Sequence, residues 1–498
     1  MTLRPSLRGD SCWLGLTACV VVLVVLRSAR AVEAYSHNDH MYLGSAVLAL
    51  RYPLYTDTAF VQTPLSIFLY QLAYLAFGEE RFFWACRAAS VLLTLLAVGF
   101  LSATTFVLTG RQLIFGLLAA VTLLTNGIFM SAAFEAGNYS LSLALAAAAV
   151  WCLCRPGSTA SRLLAGGLLG LAISAKLSFL FVAGGLAAGC FVWERRTRDL
   201  LCLVAGIVVG TLPTLYFLAR GPTTFFFLTY TFHHLTNLHR GLPGRGDWFS
   251  IAKGVARLAL TLAPLLALTG FALAKARASG PRASRRGLLA IAIVLASSFA
   301  GALSPMVFFK TYWNLPVGLV VVACLWGIAS WGRTKLLFSL LIAANVGSCL
   351  IYAGWDTWQL ARPQGATSEV RAVQRAFKQQ AWAFRACLTD VLTPVAPLTL
   401  GSGVPLARGS SAGPFLFRLD DVVAATAARY RRFTNFTTFL GPGTALFVGY
   451  YPEEPFEGRM AAYAEGHGFQ RQPAIHFRGR DLVLYVPERC VAPARHGA

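Results

Sequence analysis

The feature that most constrains the fold is a series of apolar runs, each of roughly 16 to 25 residues, along most of the chain. Runs of this length can cross the hydrocarbon core of a bilayer as helices. They lie near 12–26, 83–108, 112–134, 138–154, 161–175, 178–193, 199–219, 251–275, 286–305, 315–331 and 335–354. The pattern predicts a polytopic α-helical membrane protein with about eleven transmembrane helices.

Charge supports a membrane protein and argues against a nucleic-acid partner. Only 13% of the residues are charged, whereas globular proteins carry about 25%. The net charge is +22, but much of the excess lies in short loops between the apolar runs, where Lys and Arg orient the chain. Arg27 and Arg30 follow the first run where a signal peptide would need small residues, so we interpret Cys12–Leu26 as an anchor.

The segment Val61–Phe77 decides the topology, because it could span the membrane or lie on its surface. Gln62 and Pro64 near its start favour a surface helix. In that case the basic loops near 111, 155–162, 195–198, 275–286 and 333–335 all face the cytoplasm, as the positive-inside rule requires. We therefore predict a multi-pass protein, of a bacterial inner or plasma membrane, with a cytoplasmic N-terminus.

This topology places most of the remaining polar stretches on the exported face. They are a loop over 28–82, the turn Glu135–Asn138, Lys176, the loop 220–250 and the tail, and they include all eight histidines. Polar residues on one side would suit chemistry there. Alternatively, the exported loops are simply longer, and both interpretations stay open.

The tail changes character after residue 355, where charge rises and the long apolar runs stop. The patterns of 445–450 and 482–486 predict strands, and those of 368–390 and 456–468 predict helices. We predict a transmembrane domain over 1–355 and a small exported α/β domain over 356–498. In an oxidising compartment Cys387 and Cys490 could form a disulfide, which we state as a hypothesis.

The opening loop carries the most informative residues. In AYSHNDHMYLG, Asp39 lies between two histidines; Asp57 follows in RYPLYTDTAF, before the apolar return 61–77. A carboxylate a few residues beyond a membrane helix, followed by an amphipathic return to the membrane, resembles the GT-C-fold glycosyltransferases. The relatives meant are protein O-mannosyltransferases and aminoarabinose transferases, and the resemblance covers about residues 12–355 in layout.

The resemblance implies a GT-C-like fold and sugar transfer from a polyprenyl-phosphate donor to a hydroxyl, usually with inversion at the anomeric carbon. Such a reaction needs a general base for the acceptor proton and positive charge for the leaving phosphate. It also needs a groove open to the bilayer for the lipid chain. The protein would serve glycan biosynthesis at the cell envelope, with lipid, glycan and protein all open as acceptors.

The resemblance assigns the general base to Asp39, which matches the family's loop acid. Many relatives have Asp-Glu there, whereas this chain has Asp39-His40, which puts any role of the second acid in doubt. The alternative for Asp39 is that it caps a helix from about His40 to Arg51.

Three further residues are candidates for the substrate pocket. Asp57 would orient the acceptor or close an Asx turn. In FEAGNYSLSL, Asn138 stands where aminoarabinose-transferase-like sequences have an acid, with Glu135 one turn earlier. Asn138 would bind sugar hydroxyls while Glu135 supplies charge, or Asn138 would only cap the helix 139–154.

Lys176 ends AGGLLGLAISAK, the most family-like motif of the chain, whose glycines would let two helices pack closely. Lys176 would bind the donor phosphate or extend to lipid headgroups. Arg240 and Lys310 are further phosphate candidates. Lys310 stands with Tyr312 in FFKTYWNLP, which also fits an ordinary aromatic belt at the membrane surface.

The sequence predicts no certain cofactor. His233 and His234 are adjacent and would point apart, so a divalent metal is not favoured. No glycine-rich phosphate loop follows a strand, so no nucleotide site is expected.

The alternative function is a flippase or transporter of lipids or lipid-linked sugars. Such proteins often show internal repeats and charged residues near the bilayer midplane. We find no repeat, and the candidate residues cluster at one face, which favours the transferase. A non-enzymatic assembly protein would fit the tail but not the opening loop.

Overall fold

The computed structural model describes residues 7–33, 35–155, 158–240, 248–279, 285–304, 310–331, 366–411 and 414–495. The helices before residue 335 are α1 (Leu7–Glu33), α2 (His37–Leu48), α3 (Leu65–Leu108), α4 (Leu113–Thr125), α5 (Gly127–Met130), α6 (Tyr139–Cys154), α7 (Thr159–Ala175), α8 (Phe179–Glu194), α9 (Thr197–Gly210), α10 (Leu212–Arg220), α11 (Pro222–Phe226), α12 (Phe232–Arg240), α13 (Trp248–Ser279), α14 (Arg285–Leu303) and α15 (Asn314–Trp331). The described residues of this part also form short 3-10 helices at Ser131–Phe134 and Lys310–Trp313 and a π-helical turn at Phe227–Thr231.

The predicted apolar runs fold as helices wherever the structure describes them. Among the described residues, three helices are long and apolar enough to cross a membrane: Leu65–Leu108, Arg285–Leu303 and Thr311–Trp331. Two bent pairs, Leu113–Thr125 with Gly127–Phe134 and Thr197–Gly210 with Leu212–Arg220, raise the number to five if each is one span. The run 335–354 lies outside the described residues, and the expected number of about eleven spans stays a prediction.

The long helix α3 is interrupted at Gly78. This residue has φ 69° and ψ 171°, a left-handed backbone that glycine adopts without the strain a side chain would bring. An unbroken helix of 44 residues would measure about 66 Å, twice the hydrocarbon thickness of a bilayer. The break separates Leu65–Phe77, the helical part of the segment Val61–Phe77 that was predicted to lie on the membrane surface, from the apolar helix that follows.

The motif that precedes Lys176 forms a close contact between α7 and α9. A Cβ placed on Gly170 would collide with the carbonyl oxygen of Ile207 and lie 2.7 Å from the Cα of Gly210. Gly166 faces the same helix, and a Cβ there would lie 2.9 Å from the Cα of Gly206. Gly167 differs, because a Cβ added to it would have no other atom within 4 Å.

The C-terminal part is an α/β unit around a five-stranded sheet. Its strands are β1 (Asp390–Leu392), β2 (Thr444–Val448), β3 (Phe469–Arg471), β4 (Ile475–Phe477) and β5 (Arg480–Pro487). Its helices are α16 (Ala366–Trp382), α17 (Pro414–Phe417), α18 (Asp420–Thr426), α19 (Arg431–Thr434), α20 (Pro455–Gly466) and α21 (Glu488–Arg495). The strand order is β1-β2-β5-β3, with β4 beside β5; β1 and β2 run parallel and the other pairs are antiparallel. The predicted strands and helices of the tail are thus all present, with shifted ends.

The sheet pairs in a register that buries its apolar strands. Leu446 of β2 lies opposite Tyr485 of β5, and every residue of β2 is buried. The hydrophobic core around this sheet continues without interruption into α2 and the start of α3. Cys387 and Cys490 form a disulfide with a Cα–Cα distance of 5.3 Å, as hypothesised from the sequence.

Candidate active site

The predicted site residues from separate parts of the sequence meet at one end of the helix bundle. At this end α2 lies against α3, α6 begins after the turn Glu135–Asn138, and α7 stops at Lys176. Buried polar side chains concentrate here, which is costly unless they pair with one another.

Asp39 is fully buried and is held by three hydrogen bonds. Its Oδ1 accepts from the backbone N–H of Ala136 at 2.6 Å and from the Arg87 guanidinium at 3.3 Å. Its Oδ2 accepts from the backbone N–H of Ser36 at 2.8 Å. Arg87 is also fully buried and donates a second bond to the carbonyl oxygen of Ala31. Asp39 therefore ties the opening loop to α3 and to the turn before α6.

The helix-capping alternative for Asp39 needs a correction. Helix α2 spans His37–Leu48, not His40 to Arg51, and its N-cap is Ser36. Ser36 Oγ accepts from the Asn38 backbone N–H at 3.3 Å, while the Asp39 carboxylate accepts from the Ser36 backbone N–H, which makes a capping box. Burial raises the pKa of the Asp39 carboxyl, and the charge of Arg87 and the two backbone N–H groups oppose that increase.

Glu135 lies beside Asp39 on the other side of the loop. Its Oε2 accepts from the Asn38 side-chain amide at 2.8 Å and from the Ser36 hydroxyl at 3.2 Å. The residue is 8% exposed, whereas Asp39 is 0% exposed. Ser36 thus contacts both carboxylates, although they are 96 residues apart in the chain.

Lys176 is enclosed by two aromatic rings. Its ammonium nitrogen lies 3.7 Å from the ring centre of Tyr139 and 4.1 Å from that of Tyr312. The two rings meet edge to face, with centroids 5.5 Å apart. A cation held against the faces of desolvated aromatic rings is favoured by about 2 kcal/mol or more. Lys176 is 4% exposed, so it does not extend to lipid headgroups in this conformation.

The burial of Lys176 moves it toward its neutral form and so opposes the effect of the two rings. Burial lowers the pKa of its ammonium to about 7, and the negative charge of Glu135 opposes the decrease. The cavity beside it, lined also by Ser178 and Thr311, measures ≈ 20 Å³. That volume holds roughly one water, so a phosphate would fit here only after side chains move.

Asn138 belongs to a chain of polar side chains rather than to a helix cap. It immediately precedes α6, but its side chain makes no capping hydrogen bond. Its amide donates instead to Gln62 Oε1 at 3.1 Å, and Gln62 Nε2 lies 3.1 Å from His233 Nε2. His233 also lies 3.1 Å from the carbonyl oxygen of Val61. These contacts between polar side chains link the residues just before α3 to α6 and α12.

The other predicted residues do not join these contacts within the described part of the chain. Asp57 is exposed in the turn after Pro53; its backbone N–H donates to Pro53, and none of the described groups hydrogen-bonds to its carboxylate. The Asx-turn alternative is therefore not seen. Arg240 ends α12 and Lys310 begins the 3-10 helix, and their side chains lie outside the described part.

The described residues include no group of three or more His, Cys, Asp or Glu side chains arranged to hold a metal ion.

Comparison with known proteins finds similarity in structure only. No family model and no curated protein matches the sequence. ArnT from Cupriavidus metallidurans, in a crystal structure with undecaprenyl phosphate, superposes with a TM-score of 0.58 and 14% identity over 95% of this chain and 98% of its own. The Archaeoglobus fulgidus oligosaccharyltransferase, in complex with zinc and sulfate, gives 0.53 and 12% over 91% of this chain and 72% of its own. A form of it tethered to an acceptor peptide gives 0.53 and 12%.

The chain has the GT-C fold. This fold, a polytopic helical membrane part followed by a C-terminal domain, confirms the fold class expected from the opening loop. It brings Asp39, Glu135, Asn138, Lys176 and Tyr312 to one end of the bundle.

Sequence reasoning missed several partners that the GT-C fold supplies. Arg87 carried one usable signal, because a lone arginine in an apolar run is costly and needs a counter-ion. Gln62 and Tyr139 carried none, since their roles depend on contacts between distant segments. The C-terminal unit also reaches the site: the Tyr451 hydroxyl lies 3.0 Å from His40 Nδ1, next to Asp39.

Proposed function

We propose that the protein is an integral membrane glycosyltransferase that moves a sugar from a polyprenyl-phosphate donor to an acceptor hydroxyl. Two observations support this. The fold matches, along nearly its whole length, that of ArnT, whose structure holds undecaprenyl phosphate, and also that of an oligosaccharyltransferase. The observation that carries the proposal is the meeting of Asp39, Glu135 and Lys176 within that fold.

The proposed reaction is a single displacement with inversion at the anomeric carbon. The acceptor oxygen bonds to the anomeric carbon as the bond from that carbon to the donor phosphate oxygen breaks. The acceptor proton passes to a carboxylate, and polyprenyl phosphate leaves with the bonding electrons. Asp39 is the proposed base. Asp39 is fully buried and its two oxygens already accept three hydrogen bonds, so the acceptor reaches it only when neighbouring groups move.

Glu135 is the second carboxylate in the proposed pocket. It is more exposed than Asp39 and lies close enough to Lys176 to influence its charge. We assign it, with Asn138, to the sugar hydroxyls. Asp57, which is exposed on the same loop, is proposed to contact the acceptor.

Lys176 is the proposed phosphate ligand. An ammonium between two aromatic rings is held in one position, so it can stabilise charge that develops on the leaving phosphate. Tyr312 would shape the donor side of the pocket. Arg240 and Lys310 are proposed as further phosphate contacts from the ends of their helices.

The proposed orientation follows from the basic loops. The end that holds Arg111, Arg155 and Arg195 would face the cytoplasm together with the N-terminus. The site and the domain 356–498 would then be exported, with the transmembrane domain over 1–355. A bacterial inner membrane would be the setting.

The test uses purified protein in nanodiscs with a panel of polyprenyl-phosphate sugars that includes hexoses and pentoses. The measurement is the release of free polyprenyl phosphate, with and without a crude cell-envelope extract as the acceptor source. Release with one sugar, stimulated by the extract, supports the transferase and names the donor.

The alternative function gives a different result in the same preparation. Movement of labelled donor between leaflets, with no release of polyprenyl phosphate from any sugar, would make the protein a flippase. That outcome overturns the proposal.

A further inference from the structure

A large cavity lies between helices at the end of the bundle away from the candidate active site. Its volume is ≈ 730 Å³, within the range of about 300–1,000 Å³ that is typical of ligand sites. Its walls come from the C-terminal parts of α3, α6 and α8, from Arg162 of α7 and from α14 and α15. Helix α6 begins in the active site and ends at this cavity, which at 1.5 Å per residue separates the two by about 24 Å.

The walls of the cavity are apolar over most of their area. Val150, Leu186, Val294, Leu319 and Val322 contribute to them, one or two from each neighbouring helix. These helices belong to the membrane part of the fold, so a bilayer surrounds the cavity. A lipid chain is the apolar occupant that a bilayer supplies directly.

The polar part of the lining is positively charged. It holds three arginines and one glutamate, a net charge of +2. Arg162 is buried, pairs with Glu194 and donates to the carbonyl oxygen of Leu153 at 2.8 Å. Arg111 and Arg155 are exposed, and in the described part of the chain neither has a carboxylate partner. Arg155 is held by the Trp151 ring, with its guanidinium carbon 4.3 Å from the ring centre.

We propose that this cavity binds one anionic phospholipid of the surrounding leaflet. Arg111 and Arg155 contact the phosphate, and an acyl chain lies in the apolar cavity against α6, α8 and α15. The two guanidinium groups suit the phosphate of such a lipid, since arginine pairs with phosphate in a bidentate way. The apolar slot beside them suits its acyl chain. Basic pockets between transmembrane helices bind anionic headgroups on the cytoplasmic side in general. The site is separate from the proposed transferase chemistry and does not depend on it.

The experiment measures the phospholipid that co-purifies with the full-length protein. The protein is exchanged into detergent from nanodiscs of phosphatidylcholine with or without phosphatidylglycerol, and the lipid retained per chain is counted by native mass spectrometry. The wild type is expected to retain about one phosphatidylglycerol and to prefer it to phosphatidylcholine at least fivefold.

Two pairs of variants locate the site. Cys190→Trp places a large ring in the cavity, while Cys202→Trp puts the same ring at a half-buried cysteine on α9 that does not line it. Arg111→Ala/Arg155→Ala removes the phosphate contacts, and Arg195→Ala/Arg196→Ala removes two exposed arginines elsewhere in the same set of loops. The first member of each pair is expected to lose the bound lipid and the second to keep it.

Several results would overturn the proposal. The first is that the wild type retains phosphatidylglycerol and phosphatidylcholine equally. The second is that neither Cys190→Trp nor Arg111→Ala/Arg155→Ala loses the bound lipid. The third is that the wild type retains no lipid. Displacement of the lipid by an equimolar polyprenyl phosphate would assign the cavity to that lipid instead and would also overturn it.

Discussion

At the scale of single residues, the pair Asp39–Arg87 decides how the proposed base can be tested. Both side chains are fully buried, so each is the counter-ion of the other. We expect Arg87→Met to destabilise the protein by about 3–5 kcal/mol, because it leaves a buried carboxylate without its partner. Thermal unfolding in detergent measures the change.

The double variant Asp39→Asn/Arg87→Met separates charge from packing. It is expected to be less destabilised than the sum of the single variants, because neither charge is left alone. Arg81→Met, at an exposed position of the same helix, should change stability by less than about 0.5 kcal/mol. Additive effects of Asp39 and Arg87 would contradict the coupling.

Lys176 gives the proposed transferase a pH dependence. Its pKa is lowered to about 7, so its ammonium is charged below that pH and neutral above it. If the charged form binds the donor phosphate, kcat/KM for the donor should fall as pH rises above 7, by up to about tenfold per unit. Steady-state release of polyprenyl phosphate between pH 6 and pH 9 measures the profile.

Lys176→Arg is the matched variant for this profile. An arginine stays charged throughout the range, so the fall above pH 7 should disappear even if the overall rate is lower. The same fall in the variant as in the wild type would exclude Lys176 as its source.

Among the site residues, ionisable side chains beside apolar runs could be identified from the sequence. The side chains and backbone groups to which they bond could not. Lys176 and Glu135 stand out because ionisable groups beside membrane helices are costly. The bond from the Ala136 backbone N–H to Asp39 and the bond from Asn138 to Gln62 join segments that are far apart in the chain. A one-dimensional pattern does not contain such contacts.

At the scale of elements, the contact of α7 with α9 depends on glycines of both helices, Gly166 and Gly170 of α7 and Gly206 and Gly210 of α9. Gly170→Ala should destabilise the protein by about 1–3 kcal/mol, because its Cβ would collide with the backbone of α9 and force the helices apart. Gly167→Ala is the control on the same helix, with nothing within 4 Å of the added group. It should be neutral, or stabilising by up to about 1 kcal/mol through helix propensity. The thermal unfolding midpoints of the two variants in detergent measure the difference. Equal midpoints would contradict the close packing of α7 on α9.

Within the described part of the chain, the predicted helices were correct in place because long apolar runs in a bilayer have few alternatives to a helix. Their interruptions were harder to predict. The bend after Thr125 depends on Asn126, whose side chain accepts from the backbone N–H groups of Ile128 and Phe129 at 3.0 Å. From the sequence alone, a single asparagine in an apolar run does not indicate that a new helix begins there.

At the scale of the whole molecule, the C-terminal unit and the opening loop share one hydrophobic core. The sequence predicted the tail as a separate unit, because its composition changes near 356. It did not predict the contact of Tyr451 with His40, which lies 411 residues away in the chain. The proposed boundary therefore marks a change in composition, but the parts of the protein on its two sides pack together beside Asp39.

The disulfide Cys387–Cys490 closes a long loop around this shared core, with its ends 103 positions apart in the sequence. Removing it by Cys490→Ser should lower the free energy of unfolding by about 2–4 kcal/mol, chiefly because the unfolded chain gains conformational entropy. The measurement is the thermal midpoint with and without reductant, which should differ in the wild type and coincide in the variant. Cys202→Ser, which removes a free cysteine, should behave like the wild type, and a reductant effect that persists in Cys490→Ser would contradict the account.

The most direct test of the central claim is the rate of polyprenyl phosphate release by Asp39→Asn, counted per folded molecule. The matched control is Asp199→Asn, in the first turn of α9 at the far end of the bundle. With Asp39 as the base, its variant should lose about 10²–10⁴-fold in rate while the control keeps the wild-type rate. Release by folded Asp39→Asn within about twofold of the wild type would contradict the account, because a general base cannot be removed at so small a cost.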